Sequence, residues 1–292
     1  MQSSILYYDK KSEEACYDIC RYLKIDNMPA IDGTHYYEQE AGIFIQKSIT
    51  IDHSISVSSS IFRQEIIPQF EVNRHNVLFV FEEDVMMGVV HICDYNRDIV
   101  LQYIQDDILS FERKLRQLIL LHGYDNTDIL NYFIYKREKC KDKKSRGFYD
   151  QKIQNYESRR IESDSLGAFQ LFDFSDLLNF TESSFTNSFY KIPRYSLLNQ
   201  NHPGKEILRE LRNLAMHGKN PVKINNQTFI YSLDSLQKLI DSLYVLRKEY
   251  SVLTNKIRQH PDFIRSIELD NRSKLDIIHH HHPKALEYFL GF

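Results

Sequence analysis

Two hydrophobic patterns divide this chain. Up to about residue 105 the apolar residues come in short runs and alternations separated by turn residues, and from Ile108 they recur every three or four positions. In the first part, ILYY is a short β-prone run, and SEEACYDICRYLKI opens with a serine and early acids, as a capped helix does. NMPAIDG then predicts a strand closed by an Asp-Gly turn. The order repeats: SITIDHSISV as a strand, a helix from about Ser60 to Phe70, NVLFVFEEDVMMGVVHICDYN as a β-hairpin turning at Glu83 and Asp84, and a helix from Arg97. Two such copies predict an internally duplicated α+β unit over residues 1–107.

Beyond it the reading is helical, with no further strand pair expected except at QTFIYS. ILSFERKLRQLILLHG places Ile108, Phe111, Leu115, Leu118 and Ile119 on one face, with Glu112, Arg113 and Arg116 opposite or flanking. Helices follow at TDILNYFIYKREK, FYDQKIQNYESRR, FSDLLNF, GKEILRELRNLAMHG and SLDSLQKLIDSLYVLRKEYSVLTNKIRQ, the last opened by a Ser-Leu-Asp cap. This predicts an all-α domain at 108–258 and a C-terminal helical tail at 259–292. The expected fold class is therefore multidomain, an α+β unit followed by a helical bundle.

Composition narrows the function classes. The chain has 292 residues, 42% hydrophobic and 26% charged, with a formal charge of −3. That balance excludes a broadly basic protein, so any nucleic-acid contact has to come from a local patch. No stretch reaches the 18 or more apolar residues of a membrane span, and no basic start followed by an apolar run is present, so a cytoplasmic protein with no membrane partner is expected. The cysteines at 16, 20, 93 and 140 form no CxxC pair, which gives neither a zinc framework nor a disulfide scaffold. The four consecutive histidines at 279–282 point in four directions on a helix and cannot jointly chelate, so no metal site is assigned.

The chemistry concentrates in ELRNLAMHGKN, residues 210–220. At 100° per residue, Ile207, Leu208, Leu211, Leu214 and Ala215 gather in an arc of roughly 120° that forms the core face. Arg209, Arg212, Asn213, Met216 and His217 gather opposite, with Asn213 and His217 neighbours at i,i+4 and Arg212 roughly 140° from His217. A residue that titrates near neutrality and a forked cation suit phosphate chemistry. Spacing alone does not single them out, because Arg116 to His122 and Arg272 to His279 satisfy a similar interval. The bland alternative is a solvated face with a C-terminal His complementing the helix dipole.

Context separates this set from the others. RNLAMH, late in a capped helix of an all-α domain opened by ERKLRQLI, resembles the Arg-x4-6-His motif of the HEPN superfamily (higher eukaryotes and prokaryotes nucleotide-binding domains), over about residues 108–258. FERKLRQLILL and LFDFSDLLNF are similar to the earlier helices of defence-associated members. The resemblance implies a homodimer that brings two motifs together and a metal-independent endoribonuclease. In it the RNA 2′-hydroxyl attacks the phosphate to give a 2′,3′-cyclic phosphate and a 5′-hydroxyl. On this expectation His217 is the general acid/base, Arg212 the phosphate clamp and Asn213 the orienting residue. A conditional toxin or antiviral defence effector would use such an activity.

VLFVFEEDVMMGVVHICDYNR likewise resembles the closing hairpin and Asp-bearing turn of a CBS (cystathionine β-synthase-type) domain, and DNMPAIDG a strand of a first copy, over about residues 1–105. In that family the acid ending a Ser/Thr-x-x-Asp turn binds the ribose of an adenosine ligand. Asp94 falls there, while His91 departs from the family's Ser/Thr; the resemblance implies an adenine nucleotide effector and a regulatory role for this unit. From the residues alone, Asp94 reads as the cap of the helix starting near Arg97.

The run KREKCKDKKSRG holds seven basic and two acidic side chains: Lys136, Arg137, Lys139, Lys141, Lys143, Lys144 and Arg146 against Glu138 and Asp142. With Tyr135, Phe148 and Tyr149 flanking it for stacking and Arg159 and Arg160 extending it, it is a candidate RNA-contacting lobe; Arg209 on the motif helix is a further RNA-binding candidate. Its ordinary reading is a flexible solvated loop. A second function fits the same residues: a non-catalytic module that senses a nucleotide and dimerises or binds RNA.

Overall fold

A computed structural model describes residues 5–51, 54–56, 61–73, 77–159, 172–224 and 231–265. The chain divides into two compact units, Met1–Ile108 with Pro193–Leu246, and Leu109–Ile192 with Arg247–Phe292. A small β-rich N-terminal region followed by a predominantly helical one is observed, as the patterning predicts.

The first unit opens with a helical turn, Lys10–Ser12, capped by the Asp9 side chain on the Lys11 amide, and continues into α1, Glu13–Leu23. The run ILYY is not a strand, although the Tyr8 amide donates to the Pro29 carbonyl at 2.9 Å. Strands β1 (Asn27–Pro29), β2 (His35–Glu40) and β3 (Ile43–Ser48) form an antiparallel sheet in that order. The Asp-Gly turn closes β1 as expected, with Gly33 at φ 71°. The β2–β3 hairpin turns on Ala41 and Gly42, both at positive φ, a two-residue geometry whose twist matches the flanking strands.

The second sheet holds β4 (Ser54–Ser56), β5 (Val77–Glu82) and β6 (Val85–His91). Here β4 runs parallel to β5, with α2 (Ile66–Asn73) between them in sequence, and β5–β6 is the expected hairpin with a bulge at Val80/Phe81 and Glu83 at φ 53°. Tyr36 of one sheet packs on Phe79 of the other, ring centroids 5.4 Å apart, in a cluster with Val77 and Met86. Side chains of this size contribute about 1.5–3 kcal/mol each when fully buried. Cys16, Cys20, Ile25 and Met28 make a second cluster, joined by Tyr8, Leu23, Phe44 and Cys93.

Past β6 the chain makes a short helical turn, Ile92–Asn96, and enters α3, Asp98–Leu121, which runs unbroken. Its residues up to Ile108 belong to the first unit and the rest to the second. The segment returning to the first unit corrects one expectation. Arg194–Leu197 and Gln200–Pro203 form a β-hairpin, β7 and β8, where only helix was expected. Leu198 and Asn199 at φ 47° and 63° make its turn; Leu in a left-handed position is a weak sequence signal, which is why the hairpin is hard to read. The helix carrying ELRNLAM, α7 (Gly204–Met216), follows β8 directly, and α8 (Leu233–Gln259) starts under a Ser232 cap whose hydroxyl accepts from the Ser235 amide at 3.3 Å. Of QTFIYS, 227–230 lie outside the described residues; Tyr231 makes a single antiparallel bridge to Ile224.

In the second unit, α4 (Asn126–Lys139) is capped by Asp125, α5 (Lys143–Ser158) by Asp142 and α6 (Phe174–Glu182) by Asp173. Phe111, Leu115, Leu118 and Ile119 of α3 are buried, as the helical period predicts. Phe111 meets Phe174 edge-on at 5.9 Å, and Tyr132 meets Phe180 at 5.5 Å.

Candidate functional site

The two faces of α7 separate as the projection requires. Ile207, Leu208, Leu211 and Ala215 are buried, Leu214 is partly buried, Arg209 and Arg212 are half-buried, and Asn213 and His217 are exposed. The helix ends where the sequence places the glycine. Gly218 sits at φ 59°, its amide donating to the Ala215 carbonyl at 3.4 Å, and the Lys219 amide donates to Leu214 at 3.1 Å. These two bonds close the last turn and leave His217 as the C-terminal cap residue, its side chain in solvent.

The two arginines on this helix differ. Arg209 is held by Glu206 one turn back, with Nη1 at 3.0 and 3.1 Å from the two carboxylate oxygens. Arg212 has Leu208 at i−4 instead, and among the described residues it has no ion-pair partner. Its Nε is buried without an acceptor. A buried donor with nothing to donate to is costly, and an anion drawn to this face would relieve it. No hydrogen bond joins the side chains of Arg212, Asn213 and His217 to one another; what unites them is one helix face.

Two side chains fix this end of α7 within the first unit. Gln105 Nε2 donates to the Ala215 carbonyl at 2.8 Å. Asn96 brackets buried Val222, donating from Nδ2 to its carbonyl at 2.9 Å and accepting its amide on Oδ1 at 2.8 Å.

Asp94 lies on the wall of a cavity of about 720 Å³ in the same unit. Its role in the chain differs from a cap on α3: Oδ2 accepts the His91 amide at 2.8 Å, stitching the end of β6 to the turn, and Oδ1 is 3.5 Å from Arg97 Nη1. Apolar side chains such as Leu6, Ile19 and Met28 line the cavity, together with Tyr22 and Tyr231. Two polar residues on its wall were not picked out from sequence as ligand contacts. Asn27 is 1% exposed, gives its amide to Asp26 at 2.6 Å, and leaves Oδ1 with no partner. His91 is 8% exposed, Nδ1 is likewise unpartnered, and burial pushes its imidazole down so that the ring stays neutral. Their only local signal is a polar residue at the rim of an apolar run.

The basic run is not a loop. Lys136, Arg137 and Lys139 finish α4, and Lys143, Lys144 and Arg146 open α5, with Lys141 in the short link. Three of the seven cations are engaged: Arg137 with Asp150 at 3.5 Å, Arg146 with the Cys140 carbonyl at 3.2 Å, and Lys139 with the Tyr135 hydroxyl at 2.5 Å. Lys139 also lies 4.2 Å over the Tyr135 ring and, as hydrogen-bond donor, lowers that phenol's pKa. Lys136, Lys141, Lys143 and Lys144 have no ion-pair partner among the described residues, and Phe148 is exposed beside them in sequence.

The decoys separate from the motif. Arg116 is paired with Glu112 at 2.5 Å and His122 is stacked on Phe189 at 4.2 Å, while Arg272 and the histidines at 279–282 lie outside the described residues. Burial raises the Cys20 and Cys93 thiols to about 12, which keeps them as core residues rather than nucleophiles. Among the described residues no group of three or more His, Cys, Asp or Glu is placed to hold a metal ion, and no helix is long and apolar enough to cross a membrane. Comparison of the chain with protein-family models, with curated proteins and with solved structures finds no match in any of the three.

Proposed function

We propose that the chain is a HEPN-type, metal-independent endoribonuclease that acts as a cytoplasmic homodimer. The observation that carries this reading is Arg212, a half-buried guanidinium whose Nε lacks an acceptor and whose charge has no carboxylate partner among the described residues, five residues before exposed His217. Neutral imidazole at His217 takes the proton of an RNA 2′-hydroxyl as the oxygen attacks phosphorus. The new O–P bond forms, the bond to the 5′-oxygen breaks, and the proton returns to that leaving oxygen. Arg212 balances charge on the phosphoryl oxygens and Asn213 orients them. Facing copies of the motif across a two-fold axis relieve the roughly 140° separation within one helix. Arg209 on α7 adds counter-charge for the RNA backbone, and the lysines of 136–146 are a separate candidate RNA contact in the second unit. A conditional toxin or an antiviral effector is the biological setting such an enzyme fits.

The test is incubation of the full chain with mixed RNA in EDTA, beside His217→Ala. Cleavage that resists EDTA, leaves a 2′,3′-cyclic phosphate and disappears in the variant is the expected result. Equal behaviour of the two chains removes the enzyme reading.

A second reading, a non-catalytic nucleotide-sensing or RNA-binding dimerisation module, is favoured by the cavity beside Asp94, with its unpartnered Asn27 and His91 atoms. The two readings are compatible if the N-terminal residues regulate the enzyme through an adenine nucleotide. A thermal shift with AMP, ATP or cyclic oligoadenylates is expected, and indifference to all three removes the sensing role.

A further inference from the structure

The cavity and the end of α7 share one short stretch of chain. Asp94 and Arg97 line the cavity, and Asn96 stands between them. Its carboxamide closes a ring with both main-chain groups of Val222, at 2.9 and 2.8 Å, so it acts as a one-residue strand partner for a residue that is 1% exposed. Val222 follows His217 by five residues. The chain is then held again from the cavity side: the Ser232 amide donates to Lys223 at 2.8 Å, Ile224 bridges Tyr231, and Tyr231 lines the cavity. On the same helix that starts at this turn, Gln105 grips the Ala215 carbonyl. All of these residues belong to one compact unit, which includes both the N-terminal residues and α7.

A ligand touching Arg97 and Tyr231 thus contacts both sides of the clamp around Val222. Differential contact of this kind is what a regulatory ligand needs to bias a distant group. The unpartnered Asn27 Oδ1 and His91 Nδ1, both on residues lining the cavity, offer such a ligand two hydrogen-bonding atoms. We propose that the Asn96–Val222 clamp couples occupancy of this cavity to the C-terminal end of α7, so that a ligand there sets the position of His217. The coupling rests on the readings of the cavity as a ligand site and of α7 as the cleavage helix, and its test is independent of both.

Hydrogen exchange of the full chain is that test, read at the amides of 215–224. Gly88 lines the cavity, and a Cβ built on it meets nothing within 4 Å, so Gly88→Phe places a ring in the space without any ligand. Leu6→Trp, at a half-exposed wall position, is a second filler should the first fail to fold. AMP serves as the small-molecule probe. Either filler is expected to change exchange at Val222 and its neighbours by about fivefold or more, and to lose that effect when combined with Asn96→Ala. A folded filler variant whose 215–224 amides exchange as in the wild type overturns the coupling. A chain that ignores AMP yet responds to the filler keeps the coupling and removes AMP as its ligand. Because the readout is not cleavage, loss of the ribonuclease reading leaves the result standing.

Discussion

On α3, Arg116 precedes His122 by six residues; on α7, Arg212 precedes His217 by five. The fold treats the two pairs in opposite ways. Arg116 is bound to Glu112, itself buried, and His122 lies between Phe189 and His260, its pKa lowered by burial first and by His260 and Lys256 after it. Arg212 meets no carboxylate among the described residues, and His217 stands in solvent at a helix end. A cation and an imidazole at helical spacing are therefore available for chemistry only where the fold leaves them uncommitted. The acid at i−4, Glu112, pairs with Arg116, where Arg212 has Leu208.

Paired substitutions break or sharpen this contrast. His217→Ala or Arg212→Ala is expected to cut RNA cleavage about a thousandfold with the melting temperature nearly unchanged. The corresponding changes on α3 reverse the pattern: Arg116→Met leaves buried Glu112 uncompensated and is expected to cost about 3 kcal/mol of stability in denaturant unfolding, with cleavage by the remaining folded chain intact. If His122→Ala silenced cleavage as fully as His217→Ala, the distinction between the two pairs would collapse.

The same local chemistry explains what was legible. The glycine after His217, the cap at Ser232 and the hairpin pattern of 77–91 are all short-range signals, and each element they mark is present. The polar face of α7 was legible for the same reason, since a period of 3.6 fixes it. Two hairpins were not. β2–β3 and β7–β8 turn on Ala41–Gly42 and Leu198–Asn199, pairs that lack the usual Asn-Gly signal, and their strands are rich in polar residues. In KREKCKDKKSRG the charge count hid an N-cap: Asp142 accepts the Ser145 amide at 2.7 Å and starts α5 inside the run. The polar atoms of Asn27 and His91 were beyond local reading altogether, because only the meeting of α1, β1 and β6 around the cavity strands them.

The distinction between committed and free cations extends to the α4–α5 link, with a smaller effect. Replacing Lys141, Lys143 and Lys144 by Ala removes three cations without a partner among the described residues, and is expected to lower the salt slope of RNA binding by about 2, at roughly 0.7 per charge on a single strand. Arg137→Ala should change that slope less, since Asp150 already shares its charge. Fluorescence anisotropy across a salt titration measures both, and equal slopes for the triple variant and the wild type remove the link from the RNA surface.

Lys152 is a committed cation as well, held by two carboxylates, and it yields the smallest expected effect. It bridges Asp173 at 3.0 Å and Asp176, on the wall of a cavity of about 230 Å³ with Phe133, Tyr156 and Phe172. Burial pushes Asp176 up to about 6, outweighing the hydrogen bond from Lys152. A folded value above the unfolded one, near 3.9, means that the protonated acid is the stabilising form. Its contribution is complete below about pH 4 and is lost as pH rises through about 6. Asp176→Asn keeps the shape and removes the titration, so the variant's melting temperature should gain on the wild type by about 3 °C between mildly acidic and neutral pH, for about 1 kcal/mol left after Lys152 screens the charge. Melting curves that run parallel across that window would show that Lys152 neutralises Asp176 as completely as Glu112 neutralises Arg116, and the carboxyl would then titrate in the ordinary range.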